Sequence, residues 1–262
     1  MIKRLLNDLK KYKKYIAYST KSQLKAEVTN SYLSWIWLFL EPICFMLIYT
    51  FIALVVFNSG EDYFAVFVFI GLTVWSLFQK TLIASVRLVP ANRDIVTKVY
   101  LPKFVLLISK LNVNTIKFFI SFLLVVIGMI VFRVPISWNV LYFLPLFIIL
   151  YLFCFGISSI FMHFGVFVQD LANITTIALR MLFYGSGVFF ALSKRVPAPW
   201  NGILEDWNPL AAIITQFREV LLNQHGLNFT LMGIWLAVSL LLCFIGIKTI
   251  YKYENTYVKV MK

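Results

Sequence analysis

Six long apolar stretches dominate the sequence, and each is long enough to cross a lipid bilayer as a helix. A helix needs about 20 predominantly apolar residues to span the hydrocarbon core. The predicted spans are residues 33–57, 63–89, 104–132, 139–168, 174–192 and 231–251. Apolar residues make up 61% of the chain and charged residues 13%, so a soluble fold could not cover this much apolar surface. We predict an all-α polytopic membrane protein with six transmembrane helices, forming one domain over residues 1–262.

Basic residues are concentrated at the two ends of the chain and in one loop between predicted spans. The formal net charge is +13, and eight of the basic residues lie within the first 25 positions. Lys and Arg are retained on the cytoplasmic side of a membrane, and an even number of spans returns both termini to one side. The loop at 58–62 has no Lys or Arg, whereas residues 87–110 have five. We therefore predict that both termini are cytoplasmic, including a basic tail at 252–262.

Two segments do not fit a plain six-helix bundle. Residues 1–30 carry apolar side chains three and four residues apart on a Lys-rich background, namely Leu5, Leu6, Leu9, Tyr12, Tyr15 and Ile16. This spacing predicts an amphipathic N-terminal helix that lies in the headgroup plane. Residues 193–227 contain three prolines and an apolar stretch, 210–222, that is too short to span. We predict an interfacial or re-entrant external segment there, with Trp200, Trp207, Asn208 and Pro209 at the mouth of a pathway.

The sequence motifs of enzymes and of metal sites are absent from the chain. There is no G-x-x-x-x-G-K-[ST] loop to hold ATP phosphates. His163 and His225 are far apart, and Cys44, Cys154 and Cys243 lie in apolar runs without metal-ligand spacing. We expect a protein that is not an enzyme by itself and that binds no metal or cofactor. Because the basic residues flank spans, we also expect no binding of nucleic acid.

Glu41, Lys117 and Arg180 lie inside predicted spans, where charges are costly and usually mark function. Lys117 either snorkels toward the cytoplasmic headgroups or has a functional role. Glu41 and Arg180 either form a buried pair or separate polar contacts, or Arg180 helps to bind an anionic substrate. Aromatic residues in or beside the spans either face lipid or line a path for sugars. The candidate translocation pathway comprises Trp35, Trp37, Glu41, Trp75, Arg180, Phe183 and Tyr184.

The loop between the second and third predicted spans has the pattern of a short helix. Asp94 can begin a helix of one to two turns, and Pro102 stops it before the third span. A short helix that projects from the membrane can dock a partner, and the alternative is a simple connecting loop. The candidate docking residues are Asn92, Arg93, Asp94, Ile95, Val96, Lys98 and Tyr100.

Several short patterns, in a fixed order along nearly the whole chain, resemble one family. They are Ser34-Trp-Ile-Trp-Leu-Phe-Leu-Glu-Pro42, Gly71-Leu-Thr-Val-Trp75 with Phe78, the segment 92–103, the turn 165–170, and Asn208-Pro-Leu with Phe217-Arg218. Together they resemble the permease subunit of ABC-2 polysaccharide and polyol-phosphate exporters, which include teichoic-acid and O-antigen export permeases. Two positions depart from the family pattern: Gln169 stands where an Arg often precedes the Asp, and Gly187 stands where a Pro is common.

The resemblance implies a homodimer in the bacterial cytoplasmic membrane, joined to two separate ATP-binding subunits that hold ATP and Mg²⁺. It also implies that the N-terminal helix and the segment around Asp94 contact the ATPase, and that the subunit pair forms a channel for a lipid-linked polymer. We expect the cargo to be a teichoic acid or a related cell-wall glycopolymer. The alternatives are an O-antigen or capsule exporter, an ABC-2 exporter of a drug or small lipid, and an autonomous channel or transferase.

Overall fold

The computed structural model describes residues 1–29, 34–52, 55 and 63–261, and over these residues the chain is helical, without β-strands. The helices are α1 (Ile2–Thr29), α2 (Ser34–Phe51), α3 (Phe64–Val86), α4 (Leu88–Ala91), α5 (Arg93–Lys98), α6 (Lys103–Val131), α7 (Phe143–Phe167), α8 (Leu171–Gly185), α9 (Leu192–Arg195), α10 (Trp200–Trp207), α11 (Pro209–Leu221) and α12 (Phe229–Met261). A 3-10 turn at Trp138–Tyr142 precedes α7. The all-helical prediction is therefore confirmed.

Four helices in the described part of the chain are long and apolar enough to cross a membrane. They cover Phe64–Val86, Lys103–Val131, Trp138–Phe167 and Phe229–Val260, and they match the second, third, fourth and sixth predicted spans. The first predicted span, 33–57, lies partly outside the described residues, which include α2 with its 18 residues. The structure thus supports a polytopic membrane protein, while a count of six spans remains a prediction.

The fifth predicted span, 174–192, is wrong in its extent. Helix α8 begins earlier, at Leu171, and ends after 15 residues at Gly185. At 1.5 Å per residue it is about 22 Å long, which is shorter than a hydrocarbon core of about 30 Å. The helix stops because Gly187 adopts a φ of +62°, a left-handed conformation that commonly ends helices. The apolar residues after Gly187 therefore do not continue the helix.

Helix α3 is the centre of the bundle and contacts α2, α6, α7, α8 and α11. The chain direction defines two ends of the bundle. We call the end that carries α5, the start of α6 and the end of α12 the basal end, and the end that carries α10 and α11 the distal end. Helices α7 and α12 pack tightly because Gly156 faces α12: a Cβ on Gly156 would lie 2.7 Å from the Cβ of Leu242. Small residues at such contacts let membrane helices approach closely.

The N-terminal segment forms α1, which packs along α6 and α2. Five of the six stripe residues are partly buried against the core, namely Leu5, Leu9, Tyr12, Tyr15 and Ile16. Leu6 is instead 53% exposed. In the C-terminal half of α1, the Thr20 hydroxyl donates to the Ser109 carbonyl of α6 at 3.4 Å. The apolar stripe of α1 thus packs against the helix bundle, including α6. A position of α1 in the headgroup plane remains a prediction.

Candidate functional site

A cavity of about 480 Å³ lies between α2, α3, α6 and α8. Four of the predicted pathway residues, Glu41, Trp75, Arg180 and Phe183, line this cavity together, and Lys117 joins them. Lys117 is the fifteenth of the 29 residues of α6, so the cavity reaches the middle of that helix. The remaining lining is Pro42, Phe45, Phe69, Leu72, Thr73, Ser76, Leu77, Gln79, Lys80, Ile83, Asn114, Phe118, Ser121 and Leu179.

The charged residues of the cavity lining are mostly basic, because Lys80, Lys117 and Arg180 line it with one carboxylate, Glu41. Glu41 accepts a hydrogen bond from the Lys80 ammonium at 3.0 Å. The predicted alternative of a Glu41–Arg180 pair is therefore wrong. Sequence reasoning missed Lys80, although a cation inside the second predicted span is itself a signal of function.

The Lys117 ammonium is paired with Glu27 of α1, and its snorkelling toward the cytoplasmic headgroups stays a prediction. The other Glu27 oxygen accepts a hydrogen bond at 2.6 Å from Lys110, which lies about two turns earlier on α6. Burial alone raises the pKa of Glu27, but hydrogen bonds from Lys110 and Lys117 outweigh it and hold the pKa below its usual range. Sequence reasoning missed Glu27. It could have been noticed because it is a single acidic residue in a stretch of α1 that is otherwise basic.

The aromatic wall of the cavity is built by α3 and α8. The rings of Trp75 and Phe183 have centroids 5.1 Å apart, and the Trp75 indole donates to the Gln79 amide oxygen at 2.8 Å. Tyr184 packs on Phe183 but is 68% exposed and does not line the cavity. The structure therefore separates Tyr184 from the other pathway candidates.

Of the two tryptophans predicted at the start of the pathway, Trp37 does not line the main cavity. Trp37 lines a smaller hollow of about 380 Å³ with Glu41, Cys44, Phe45 and Ile48. The side chain of Trp35 lies outside the described residues. Glu41 thus lies in the lining of the main cavity and of the hollow.

At the basal end, the predicted docking segment forms the short helix α5, which begins at Arg93 rather than at Asp94. Asn92 precedes the helix, and its side-chain amide donates to the Leu88 carbonyl at 2.7 Å. Val96 is only 3% exposed, so its assignment to a docking surface is wrong: its side chain packs into the core. The exposed members of the predicted set are Arg93, Asp94, Ile95, Lys98 and Tyr100.

A polar cluster at the basal end joins α1, the segment after α5, and α12. The Arg4 guanidinium donates to Glu254 and to the Tyr100 hydroxyl, both at 2.8 Å. The Tyr251 hydroxyl donates to Asp8 of α1 at 2.7 Å. The hydrogen bond to Glu254 raises the pKa of Arg4 above its usual value. The cluster therefore fastens the N-terminal end of α1 to the C-terminal helix, and its members other than Tyr100 were not predicted.

At the distal end, the predicted external segment folds into α9, α10 and α11. Asn208 caps α11: its side-chain oxygen accepts from the amides of Leu210 and Ala211, and Pro209 occupies the first turn. The Asn208 amide also donates to the Gly185 carbonyl at 3.2 Å, which ties α11 to the end of α8. Trp200 and Trp207, at the two ends of α10, are 62% and 80% exposed. Helix α11 itself is buried along nearly its whole length.

The buried cation Arg218 holds α11 against α3. Its side chain is 4% exposed and donates to the carbonyls of Phe67 at 3.1 Å, Gly187 at 2.7 Å and Val188 at 2.6 Å. The guanidinium also stacks on the Phe67 ring, 3.5 Å from its centroid. Gly71 permits this approach, because a Cβ there would lie 2.6 Å from an Arg218 nitrogen. Arg218 is thus a structural clamp and lies outside the cavity.

Comparison with known proteins gives consistent matches over most of the chain. Residues 15–222 match the family model described as ABC-2 type transporter. The O-antigen export system permease protein RfbA of Klebsiella pneumoniae is 26% identical over 243 residues, covering 92% of this chain and 93% of the relative. The protein of the same name from Myxococcus xanthus is 28% identical over 218 residues, covering 83% and 84%. No group of His, Cys, Asp or Glu in the described ranges could hold a metal ion. With its family match, apolar helices and basic cavity, the chain is a membrane permease that belongs to the ABC-2 transporter family.

Proposed function

We propose that the chain is the membrane-spanning subunit of an ATP-driven exporter that moves a lipid-linked cell-envelope polysaccharide across the bacterial cytoplasmic membrane. The observation that carries this proposal is the cavity between α2, α3, α6 and α8, where three cations and an aromatic wall meet. Lys80 and Arg180 are exposed, so a cargo in the cavity can reach them. Ionisable residues on membrane helices commonly mark substrate pathways. The Trp75 and Phe183 rings offer apolar faces of the kind on which sugar rings stack.

The proposed cargo is a long glycan on a lipid carrier. The relatives are named O-antigen export permeases, which favours a polysaccharide of that kind. Teichoic acid, expected from the sequence, stays a second prediction for the same machinery. The aromatic and basic lining is compatible with both polymers, because both combine sugar or polyol units with an anionic linkage.

In the proposed complex, two copies of this chain associate with two ATP-binding subunits, which bind ATP and Mg²⁺. The basal end is proposed to face the cytoplasm and the ATPase. Helix α5 supports this proposal because it leaves Ile95 39% exposed, and the following Val99 and Tyr100 are 58% and 57% exposed. Exposed apolar and aromatic side chains next to charged ones are typical of protein interfaces. The distal segment α9–α11 is proposed to shape the outer mouth.

Depletion of the chain in its native host tests the cargo. We expect a polyprenyl-linked glycan to accumulate on the inner face of the membrane, because synthesis continues while export stops. Extraction of lipid-linked glycans and their analysis by mass spectrometry measures this accumulation and identifies the polymer. Restoring the intact chain should clear the accumulated material. Normal export combined with drug hypersensitivity would contradict the proposal and indicate a small-molecule exporter.

The substitution Ile95→Asp tests docking of the ATPase. We expect at least a roughly tenfold loss of co-purified ATP-binding subunit, because a carboxylate replaces an exposed apolar contact at the centre of α5. The measurement is a pull-down from native membranes in mild detergent, with stoichiometry from mass spectrometry. Ile136→Asp is the matched control, since Ile136 is 70% exposed in the turn between α6 and α7, away from the basal end. Equal recovery with both variants would rule out α5 as the docking element.

A further inference from the structure

The cavity carries more positive charge than its own carboxylate balances. Arg180 has no carboxylate partner among the described residues, and Lys80 has Glu41 alone. Thr73 also lines the cavity, but its hydroxyl oxygen is buried away from the open space. The surplus of cations over carboxylates in the lining is the charge arrangement that a bound anion would balance.

The third cation, Lys117, has a partner that comes from outside the cavity wall. Glu27 lies near the C-terminal end of α1 and is absent from the lining, yet it pairs with Lys117. The same carboxylate pairs with Lys110, which does not line the cavity. Glu27 is 32% exposed, so it can exchange protein partners for water when it is displaced. An anion in the cavity would therefore compete with Glu27 for one lysine and leave the other pair in place.

A phosphate or diphosphate group fits this cavity better than a carboxylate does. Arg180 can bind two phosphate oxygens side by side, and the two lysines can each contribute a point charge. A cavity of about 480 Å³ also holds more than a single small anion. The amide of Asn114 already donates to the Thr81 hydroxyl at 3.0 Å, so the cations supply the contacts to the anion.

We propose that this cavity binds a phosphate or diphosphate group and that the bound anion displaces Glu27 from Lys117, which loosens the C-terminal part of α1 from α6. This inference rests on the proposed function, in which the cargo is lipid-linked, and it adds a means of sensing that cargo. The other end of α1 stays fastened, because Arg4 and Asp8 bind α12 far from the cavity. Binding of an anion in the cavity therefore loosens only the C-terminal half of α1.

The test uses the full chain in nanodiscs of phosphatidylcholine, with three separate probes: inorganic diphosphate, phosphatidylglycerol, and a polyprenyl diphosphate. Binding is followed by calorimetry or by native mass spectrometry. We expect Lys117→Gln to weaken binding about tenfold, because a charge-assisted hydrogen bond is lost. Glu27→Gln should strengthen binding by about threefold, because the competing charge is removed. If the Glu27–Lys117 pair only stabilised the fold, both variants would change the affinity for the probe in the same direction.

Two matched controls separate competition from a general loosening of α1. Lys110→Gln removes a lysine from the same carboxylate without touching the cavity wall, and Glu254→Gln breaks the other attachment of α1. Glu254→Gln should leave affinity for diphosphate within about twofold of the intact chain, because distant sites act independently. Lys110→Gln should lower the affinity, because Glu27 then pairs with Lys117 alone and competes more strongly with the anion. A Glu254→Gln variant that binds as tightly as Glu27→Gln would overturn the competition.

Hydrogen exchange provides the second readout. Saturating probe should raise the exchange of the amides in residues 20–29 and leave residues 2–9 unchanged, and Glu27→Gln should already show the raised exchange without probe. Tight binding of inorganic diphosphate alone would identify free phosphate as the ligand, and binding of a lipid probe would identify the headgroup. If no probe binds, or if Lys117→Gln and Arg180→Gln bind like the intact chain, the inference is wrong. Export that persists in those two variants would then leave the proposed function standing.

Discussion

Replacing Arg218 by alanine is expected to lower the free energy of unfolding by about 3 kcal/mol. The guanidinium is 4% exposed and donates to the carbonyls of Phe67, Gly187 and Val188. Truncation removes these donors together, and each buried carbonyl then bears a desolvation cost of about 1 kcal/mol or more. Denaturant titration of the purified chain in mixed micelles measures the change. Loss of the clamp should also free α11 from α3.

Arg195→Ala is the control for the Arg218 experiment. Arg195 is an exposed arginine at the end of α9, so the same substitution there should change stability by less than about 0.5 kcal/mol. Arg218→Lys should lie between the two, since one ammonium cannot reach all three carbonyls in the fork geometry that arginine uses. Equal stability of Arg218→Ala and Arg195→Ala would mean that water replaces the guanidinium and that α11 is held by its apolar contacts alone.

The second large effect is expected from Gly165→Ala, at about 3 kcal/mol of destabilisation. A Cβ on Gly165 would run into the carbonyl of Val86 and lie 2.8 Å from its carbonyl carbon. Both neighbours are backbone atoms, so the ends of α3 and α7 must move apart, and no rotamer change relieves the clash. The same denaturation assay applies, and a lower yield of folded chain should accompany the loss.

Gly233→Ala separates this clash from the general effect of adding a methyl group. Gly233 lies in α12, where an added Cβ would have nothing within 4 Å, so alanine there meets open space. Its helix propensity should raise stability by up to about 1 kcal/mol. The two variants therefore carry the same substitution with opposite expected signs. A stable Gly165→Ala chain would indicate that α3 and α7 separate at the basal end without cost.

Hydrophobic length and periodicity predicted most of the helices, because these signals depend on one segment at a time. The four helices that are long enough to cross a membrane, and the stripe on α1, follow from apolar length and spacing alone. The N-terminal residue of α11 is also readable from the chain, since Asn208-Pro209 combines a capping side chain with a proline at the first turn. Such local signals need no knowledge of what packs beside the helix.

Pairing between distant segments was not predictable in the same way. Glu41 was assigned to the pathway, but its partner Lys80 depends on how α2 meets α3. Glu27 and Lys117 are 90 residues apart, and nothing in either local sequence marks the other. Val96 was a candidate docking residue because it lies in the loop helix α5, yet its exposure depends on which side of that short helix faces the bundle. The extent of α8 was missed because Gly187 interrupts an otherwise apolar run.

The close packing of α7 and α12 gives the bundle a mechanical axis. Helix α12 has 33 residues, so it is a rod of about 50 Å that runs from the distal end to the basal cluster around Glu254. Glycine residues let α7 and α12 pack closely, so we expect the two helices to move together as one rigid unit. At the distal end α7 meets α11, where the rings of Phe143 and Phe217 lie 5.6 Å apart. If the ATPase binds at the basal end as proposed, a movement there would pass along α7 and α12 to α11, while the shorter helices α2 and α8 flank the cavity.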